Sequence, residues 1–428
     1  MSKGLHWIPF DKKIAAELLV HGEDHNGPTT LACYAKKSDS MGVPLQWARH
    51  HGYDVKDSTG DWIHLPEEKV SFRDGQKEAV DEITKLLKER FGGIVELHTG
   101  FGKTLVSLCV AHRLKAKALV ICHKEDLLHQ WKDSCEKFFG APCGWVQGDQ
   151  LDYIDKPVVV ATVQTLYSRK DSLPKDFFSS FGFTIFDEGH RFSCATFTTV
   201  AAMIPSRYKL GMSATFRRKD GLDKAWVHFI GDKIYEHKKK AKGGYYYQPI
   251  TGNYGLNDMK FKMRGSGKLN HSKYITEITL LSERNKRLAA TVDALVERGR
   301  KVLVLSDRVD HLLELQRLIK NQSGMYVGSV DGKKVQAAVL KENAKMPVVL
   351  GTSGKIAEGS DIPDLDTLVI CTPKTDVEQL VGRITREHPN KQIPYIVDPV
   401  LDTGYNKALA RKREMFYHKL GFVKRTSL

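Results

Sequence analysis

The stretch GGIVELHTGFGKTLVSLCV, residues 92–110, decides the fold class of this chain. A short apolar run, Gly93–Leu97, precedes a glycine-rich turn, and an apolar segment with helical spacing follows at Leu105–Leu114. A strand, a glycine-rich turn and a helix in this order direct backbone N–H groups and the positive end of a helix dipole at one point. The stretch therefore predicts an α/β domain with a phosphate-binding loop.

The residues of the turn predict what it binds. The lysine would neutralise the β- and γ-phosphates of ATP, and the hydroxyl that follows it would ligate Mg²⁺. The predicted nucleotide-binding residues of the turn are Thr99, Gly100, Gly102, Lys103 and Thr104, with Thr104 as a metal ligand. The full pattern begins with glycine where this chain has Leu97, so only its second half is present. A glycine-rich turn before an ordinary helix is the alternative interpretation.

A second element strengthens the nucleotide interpretation. The apolar run Phe183–Phe186 ends in Asp187 and Glu188. A buried strand that delivers a carboxylate to its C-terminal end is typical of the Mg²⁺ ligand beside a phosphate-binding loop. We predict that Asp187 holds the ion and that Glu188 orients and deprotonates the attacking water. An exposed acidic turn is the alternative.

Further apolar runs predict two parallel sheets. The first series continues at Ala118–Cys122, Val158–Val163 and Tyr208–Met212, and the second comprises Val302–Leu305, Val348–Leu350, Leu368–Cys371 and Pro394–Val397. Continuous apolar runs of this length are typical of strands that are buried on both faces, in parallel sheets covered by helices. The predicted fold class is α/β, with two tandem parallel-sheet lobes.

The sequence predicts that the chain is divided into four parts, two of which are the lobes. Residues 1–72 lack the α/β alternation and are interpreted as a small N-terminal accessory domain that binds DNA. Residues 73–235 form the first lobe, 236–275 a basic connector, and 276–428 the second lobe with a basic C-terminal tail. The tryptophans of the accessory domain, Trp7, Trp47 and Trp62, are expected in its core.

Length and composition exclude several classes of protein. A chain of 428 residues with 41% hydrophobic and 27% charged residues is globular, and its length corresponds to two to four domains. No apolar run approaches the roughly 20 residues that span a bilayer. The N-terminal stretch lacks the apolar core of a signal peptide, and the seven cysteines form no CxxC pair. We therefore expect a cytoplasmic protein with reduced thiols and no membrane association.

The positive charge is concentrated in two stretches. The net charge is +15, and basic residues cluster between Lys233 and Lys273 and again from Tyr405 to Leu428. Clustered basic charge is typical of proteins that bind polyanions, although two solvated faces are the alternative. In the first cluster Lys238, Lys239 and Lys240 precede Tyr245–Tyr247, which predicts either a sequence-tolerant grip on nucleic acid or strand packing by the tyrosines.

Four motifs in order resemble those of superfamily 2 helicases and translocases. They are GFGKT at 100–104, DEGH at 187–190, SAT at 213–215 and QLVGRITR at 379–386, within a resemblance that covers roughly 72–400. DEGHR followed by SATFRRKDG is most similar to the XPB- and UvsW-like branch, and the compact size is similar to that of phage members. The resemblance implies two RecA-like lobes that use ATP and Mg²⁺ to act on duplex and branched DNA.

The resemblance also implies roles for further residues. Phe72, Arg73 and Gln76 match the adenine-reading segment, and His123, Lys124, Gln164, Thr165 and Thr352 match strand-contacting positions. Gly359 and Asp361 match the second lobe's coupling motif at the nucleotide, His190, Ser213 and Thr215 match the motifs that couple hydrolysis to movement, and Gln379 matches a catalytic position. His123 stands where many members have Pro-Thr.

Arg383 and Arg386 have an independent interpretation. They lie three positions apart, on one face if the segment is helical. A planar guanidinium suits the spread negative charge of a transferring γ-phosphate, so both arginines are predicted to act as fingers when two lobes close on ATP.

These features together predict an ATP-dependent DNA helicase or translocase that unwinds or remodels duplex, forked or branched DNA in replication, recombination or repair. If the chain is phage-encoded, it would act in the bacterial host cytoplasm. Three alternatives stay open: a DExH-type RNA helicase, the motor subunit of a restriction or nuclease system, and a binding module that does not hydrolyse ATP.

Overall fold

The computed structural model describes most of the chain, in two compact units. It covers residues 3–24, 27–62, 70–98, 100–140, 142–189, 192, 194–213, 221–237, 243–262, 269–357, 362–375, 377–386, 388–389 and 391–428. The units are Met1–Lys238 and Lys239–Leu428. Among the described residues, no helix has the length and apolar character needed to cross a membrane.

The first unit begins with short antiparallel strands and continues as an α/β sandwich. Its strands are β1 Leu5–Pro9, β2 Leu19–Asp24, β3 Gly27–Ala32, β4 Ala35–Lys37, β5 Ser40–Pro44, β6 Gly92–Leu97, β7 Ala118–Cys122, β8 Gly144–Gln147, β9 Gln150–Leu151, β10 Val158–Thr162, β11 Phe183–Asp187, β12 Tyr208–Ser213 and β13 Lys233–His237. Its helices are α1 Lys12–Glu17, α2 Leu45–His50, α3 Gln76–Arg90, α4 Lys103–Leu114, α5 Glu125–Phe139, α6 Val163–Ser168, α7 Cys194–Ala201 and α8 Asp223–Ile230, with a 3₁₀ turn at Phe178–Ser180.

The large sheet of this unit has the strand order β13-β6-β12-β11-β7-β10-β8-β9. All neighbouring pairs are parallel except β8 with β9. Strands β6, β11 and β12 are adjacent, so the turn after β6 and the carboxylates after β11 emerge at the same edge of the sheet. This edge carries the candidate nucleotide site.

Helix α3 shows how the sequence pattern produces the packing. It spans Gln76–Arg90, and Ala79, Val80, Ile83 and Leu87 are all fully buried. The spacing of three and four residues places these side chains on one face of the helix. That face covers the sheet beside the phosphate-binding turn.

The N-terminal segment shares its apolar core with the first sheet. Met41 and Trp47 belong to the same buried cluster as Phe186 and Trp226 from the sheet and its covering helices. The structure thus differs from the expectation of an accessory domain with a core of its own. The prediction that Trp62 lies in a core is wrong, because its side chain is 89% exposed.

The second unit is a parallel α/β sandwich. Its strands are β14 Gly244–Tyr247, β15 Ile250–Thr251, β16 Val302–Leu305, β17 Ser323–Tyr326, β18 Ser329–Val330, β19 Lys333–Lys334, β20 Val348–Gly351, β21 Thr367–Ile370, β22 Tyr395–Val397, β23 Val400–Leu401 and β24 Phe422–Arg425. Its helices are α9 His271–Thr279, α10 Ser282–Glu297, α11 Val309–Leu318, α12 Ala337–Asn343, α13 Ser353–Ala357, α14 Glu378–Ile384 and α15 Gly404–Lys419, with a 3₁₀ turn at Asp258–Phe261. The main sheet has the order β17-β20-β16-β21-β22-β14-β24.

The tyrosine run is part of this sheet and not of a connector. Strand β14 pairs in parallel with β22 and β24, and Tyr246 is fully buried with its hydroxyl donating to Glu414 at 2.9 Å. Of the two interpretations of the tyrosines, the structure supports strand packing for Tyr246. The predicted connector 236–275 is corrected accordingly, since the chain from Gly244 onward contributes to the second sheet.

The basic C-terminal stretch is likewise part of the fold. Arg413 on α15 is buried and forms a two-pronged salt bridge with Asp398, with nitrogen–oxygen distances of 2.8 Å and 2.8 Å. A guanidinium that is paired in this way is not available to phosphates. The predicted tail is thus a helix and an edge strand, and part of its charge is structural. The predicted fold class, two parallel-sheet α/β lobes, is confirmed.

Lys209 is a fully buried cation in the middle of the first unit. It lies on β12, and its Nζ has no hydrogen-bond partner among the described residues. Burial lowers the pKa of Lys209 to about 7; Arg49 adds to the lowering and Asp57 opposes it. The unfolded chain therefore binds a proton at this site that the folded chain releases between about pH 7 and about pH 10.5.

We expect Lys209→Met to stabilise the protein, by on the order of 2 kcal/mol near neutral pH, because an unpaired buried charge is replaced by an apolar chain of similar length. In the wild type this site makes stability rise with pH across that window, and the variant loses this part of the slope. Urea denaturation at several pH values measures both effects. The matched control is Lys117→Met, which removes a buried lysine that is paired with Asp61 at 3.0 Å and should destabilise. A Lys209→Met variant with the unfolding free energy and the pH dependence of the wild type would contradict the prediction.

Candidate nucleotide site and nucleic-acid contacts

The phosphate-binding turn has the geometry that its sequence predicts. Gly100 and Gly102 adopt positive φ angles of 89° and 98°, and α4 begins at Lys103 directly after them. The residue that caps α4 is Gly102, and no described side chain caps the helix. The first-turn N–H groups at this helix end are thereby left for an anion.

The side chains of Gln76 and Arg73 pack closely against Gly102. A Cβ atom on Gly102 would lie 2.6 Å from Nε2 of Gln76 and 3.3 Å from Nη2 of Arg73. Gln76 donates from Nε2 to the Phe101 carbonyl at 2.5 Å and accepts from the Arg73 N–H at 2.8 Å. The upstream segment therefore supports the turn directly. Phe72 is half-buried against the apolar cluster formed by α3, α4 and the sheet, and Arg73 is exposed. The adenine-reading role of both residues stays a prediction.

The two carboxylates after β11 meet the lysine of the turn. Glu188 forms an ion pair with Lys103, and their side chains are 19% and 15% exposed. Glu188 has a φ angle of 49°, a left-handed conformation that costs a non-glycine residue about 1–3 kcal/mol and is found preferentially at functional sites. The structure thus brings Lys103 together with Asp187 and Glu188, which lie 84 and 85 positions further along the chain.

Asp187 is buried beneath this ion pair. Its Oδ2 accepts a hydrogen bond of 2.9 Å from the indole Nε1 of Trp131, a residue that the sequence interpretation missed. Burial raises the pKa of Asp187 to about 6 and Glu188 adds to the rise, whereas Lys103 and the Trp131 hydrogen bond lower it. A bound divalent cation would favour the ionised carboxylate.

The site fits ATP and Mg²⁺ on its own geometry. The uncapped start of α4 suits phosphate oxygens, and the ammonium of Lys103 lies at the same helix end. Asp187 and Thr104 offer oxygen atoms, which are the donors that Mg²⁺ prefers. ATP would bring the phosphates that complete the coordination of the ion. Thr104 is half-buried in the first turn of α4.

The predicted strand contacts of the first unit lie directly after β7 and in the first turn of α6, at the same sheet edge. His123 and Lys124 follow β7 directly, and Lys124 is exposed. Gln164 is exposed at the start of α6, and the Thr165 hydroxyl lies 2.8 Å from that of Thr162, which caps the helix. Their contact with nucleic acid stays a prediction.

The predicted coupling residue Ser213 is the last residue of β12 and is fully buried opposite Glu96 of β6.

Several predicted site residues lie outside the described part of the chain. They are Thr99, His190, Thr215, Lys238, Lys239, Lys240, Gly359 and Asp361.

The second unit carries Thr352 and the arginine motif. Thr352 follows β20, and its carbonyl accepts from the Ile356 N–H at 3.0 Å. Gln379 is half-buried and Arg383 is 7% exposed on α14. Helix α14 ends at Ile384, so the condition for a shared helical face is met at Arg383 but not at Arg386, which lies beyond the helix. Arg386 lines an open cavity of about 860 Å³ in the second unit.

Packing explains why the residue directly after the two carboxylates, Gly189, is a glycine. A Cβ atom on Gly189 would lie 2.1 Å from Cη2 of Trp226, whose ring is fully buried and stacks on Phe197 at 3.8 Å between ring centroids. Only a residue without a Cβ fits between the carboxylate turn and this ring. The sequence alone gave no sign of this constraint.

Gly189→Ala should therefore destabilise the first unit by about 1–3 kcal/mol, because overpacking forces the Trp226 ring or the turn to move. The midpoint of urea denaturation measures the loss. The control is Gly252→Ala in the second unit, where no atom lies within 4 Å of the added Cβ. Shortening the neighbour in a Gly189→Ala/Trp226→Leu variant should cost less than the two single changes added together. Full additivity would contradict the steric explanation.

Comparison with known protein families agrees with this architecture. Residues 69–218 match the family described as type III restriction enzyme, res subunit, and residues 284–388 match the helicase conserved C-terminal domain. The two matched segments together span more than half of the chain. They contain the phosphate-binding turn, the carboxylates and the arginine motif.

Two relatives and one solved structure extend the comparison. A candidate ATP-dependent RNA helicase of Acanthamoeba polyphaga mimivirus is 29% identical over 395 residues, 89% of this chain and 73% of that protein. The ATP-dependent DNA helicase UvsW of Enterobacteria phage T4 is 27% identical over 368 residues, 80% of this chain and 71% of that protein. The DNA-bound type ISP restriction–modification enzyme LlaBIII has a similar fold, with a TM-score of 0.59 at 16% identity, covering 84% of this chain and 30% of the other.

The fold and the matches define a protein of the helicase class, with RecA-like lobes and ATP-dependent activity. The chain belongs to helicase superfamily 2, as the order of its motifs predicts.

Proposed function

We propose that this protein is an ATP-driven DNA helicase or translocase that unwinds or remodels duplex, forked or branched DNA during replication, recombination or repair. The observation that carries the ATP-dependent part is the convergence of Lys103, Asp187 and Glu188 at the uncapped start of α4. The DNA part is supported by the similarity to UvsW along most of both chains and by the net charge of +15.

In the proposed reaction Lys103 changes partner. A bound triphosphate competes with Glu188 for the ammonium of Lys103, because both are anions and Lys103 lies at the phosphate-binding turn. A Glu188 carboxylate released from this ion pair is free to accept the proton of an attacking water. Asp187 and Thr104 hold Mg²⁺, which supplies charge stabilisation to the phosphates when bound.

Two other functions have support from specific observations. The mimivirus relative, named for RNA, covers more of this chain than UvsW does, and this favours an RNA helicase as the second candidate. The family matched by residues 69–218 is described for a restriction enzyme, which is consistent with a motor subunit of such a system.

A panel of ATPase assays separates these possibilities. Turnover is measured with single-stranded, duplex and forked DNA and with single-stranded and duplex RNA, each at equal nucleotide concentration. The proposal predicts strong stimulation by DNA and strand displacement or branch migration on forked substrates. Stimulation by RNA alone would overturn it in favour of the second candidate. DNA stimulation without strand displacement or branch migration would leave only translocation and favour the motor subunit.

A further inference from the structure

Trp131 connects the carboxylate site with the segment that precedes α5. The indole ring is 1% exposed on α5 and donates its N–H to Oδ2 of Asp187 at 2.9 Å. Both partners are buried, so water does not compete with this hydrogen bond. The accepting carboxylate is the predicted Mg²⁺ ligand.

This hydrogen bond restricts the orientation of the carboxylate. With Oδ2 engaged by an indole inside the core, rotation of the Asp187 carboxylate would leave a buried N–H without a partner, which is unfavourable. Partners of this kind orient metal ligands, and their loss typically lowers metal affinity or activity about 10- to 100-fold. Trp131 thus acts on the metal site through Asp187.

The same helix begins directly after the predicted strand-contacting residues. Helix α5 starts at Glu125, next to Lys124, and Trp131 lies about 9 Å further along its axis at 1.5 Å per residue. The Cys122 Sγ lies 3.4 Å from the Lys124 carbonyl oxygen and 3.5 Å from that of Ala161, so its single S–H can donate to either, and these contacts hold the loop at the ends of β7 and β10. Because Lys124 is also the N-cap residue of α5, the loop continues directly into the helix that carries Trp131.

We propose that Trp131 is a positioning residue that orients Asp187 toward Mg²⁺ and, through α5, makes this orientation depend on nucleic acid bound at His123 and Lys124. The second half of the inference rests on the proposed function, and the first half does not.

The test uses the full chain with Trp131→Phe, which keeps an aromatic ring but removes the N–H. The matched control is Trp145→Phe. Trp145 also contacts α5, through Lys132 at 5.0 Å from its ring, but its indole nitrogen has no hydrogen-bond partner among the described residues. Both variants lose an indole next to the same helix, and only one loses a hydrogen bond.

The first readout is equilibrium binding of a fluorescent, non-hydrolysable ATP analogue at increasing Mg²⁺ concentration. Trp131→Phe should raise the Mg²⁺ concentration for half-maximal binding about 10-fold or more, and Trp145→Phe should leave it unchanged. Equal Mg²⁺ dependence in wild type and Trp131→Phe would overturn the inference. If thermal melting shows that Trp131→Phe is unfolded, benzothienylalanine at position 131 keeps the ring shape without the N–H and gives the same test.

The second readout is the factor by which nucleic acid stimulates ATP hydrolysis at saturating Mg²⁺. This factor should fall several-fold in Trp131→Phe and persist in Trp145→Phe. An unchanged factor would overturn the coupling half. A wild type that no nucleic acid stimulates would overturn the proposed function instead, while the Mg²⁺ titration would still decide the positioning half.

Discussion

Glu188→Gln is expected to reduce ATP hydrolysis about 100- to 10,000-fold while ATP and Mg²⁺ still bind. The substitution removes the proposed base but keeps the size of the side chain. The Lys103 ammonium, which pairs with Glu188 in the structure, remains available to the phosphates. Single-turnover hydrolysis and equilibrium binding of a labelled ATP analogue measure the two effects separately.

Lys103→Ala should instead lose both hydrolysis and nucleotide affinity. Removing the ammonium takes away the charge that would neutralise the β- and γ-phosphates and also removes the ion pair with Glu188. The control for both variants is Glu82→Gln, a change at an exposed position on α3. Near-normal turnover of Glu188→Gln would exclude Glu188 as the base, and unchanged ATP affinity of Lys103→Ala would exclude its role at the phosphates.

Arg386→Ala is expected to slow turnover about 10³- to 10⁵-fold, the range known for arginine fingers, with little change in ATP affinity. A guanidinium that acts on the transferring phosphate stabilises the transition state more than the bound substrate. Turnover and nucleotide binding are compared at saturating DNA. Arg411→Ala, at an exposed position on α15, serves as the control.

The structure shows why Arg386 is the better position for this experiment. Arg386 is half-buried beyond the end of α14, whereas Arg383 is 7% exposed within the helix, and its removal would also disturb packing. A variant at Arg386 that lost nucleotide affinity but kept its turnover would exclude the finger role.

The strands and the nucleotide-binding turn could be predicted because their determinants are local. The run Ala118–Cys122 is a strand with the predicted bounds. An apolar run without alternation is stable only where both faces are covered, so composition alone predicts a buried parallel strand. Glycines followed by Lys103 likewise predict a phosphate-binding turn because the backbone of consecutive residues forms it.

The C-terminal half of the chain was harder to interpret from charge. The predicted connector contains the tyrosine run and the predicted tail contains the last basic stretch, yet Tyr246 is buried in the sheet and Arg413 is paired with Asp398. Charge counts do not distinguish a solvated cation from a paired one. The pairing depends on a partner brought close by the fold.

The sequence by itself thus determined the α/β class, the two parallel sheets and the backbone geometry of the phosphate-binding turn, since each depends on neighbours in the chain. Only the tertiary structure decided that Trp131 donates a hydrogen bond to Asp187 and that Trp226 leaves no room for a Cβ at position 189. It also decided that the N-terminal segment shares the core of the first sheet. These contacts join residues from separate elements, and the packing of the sheet against its covering helices brings them within bonding distance.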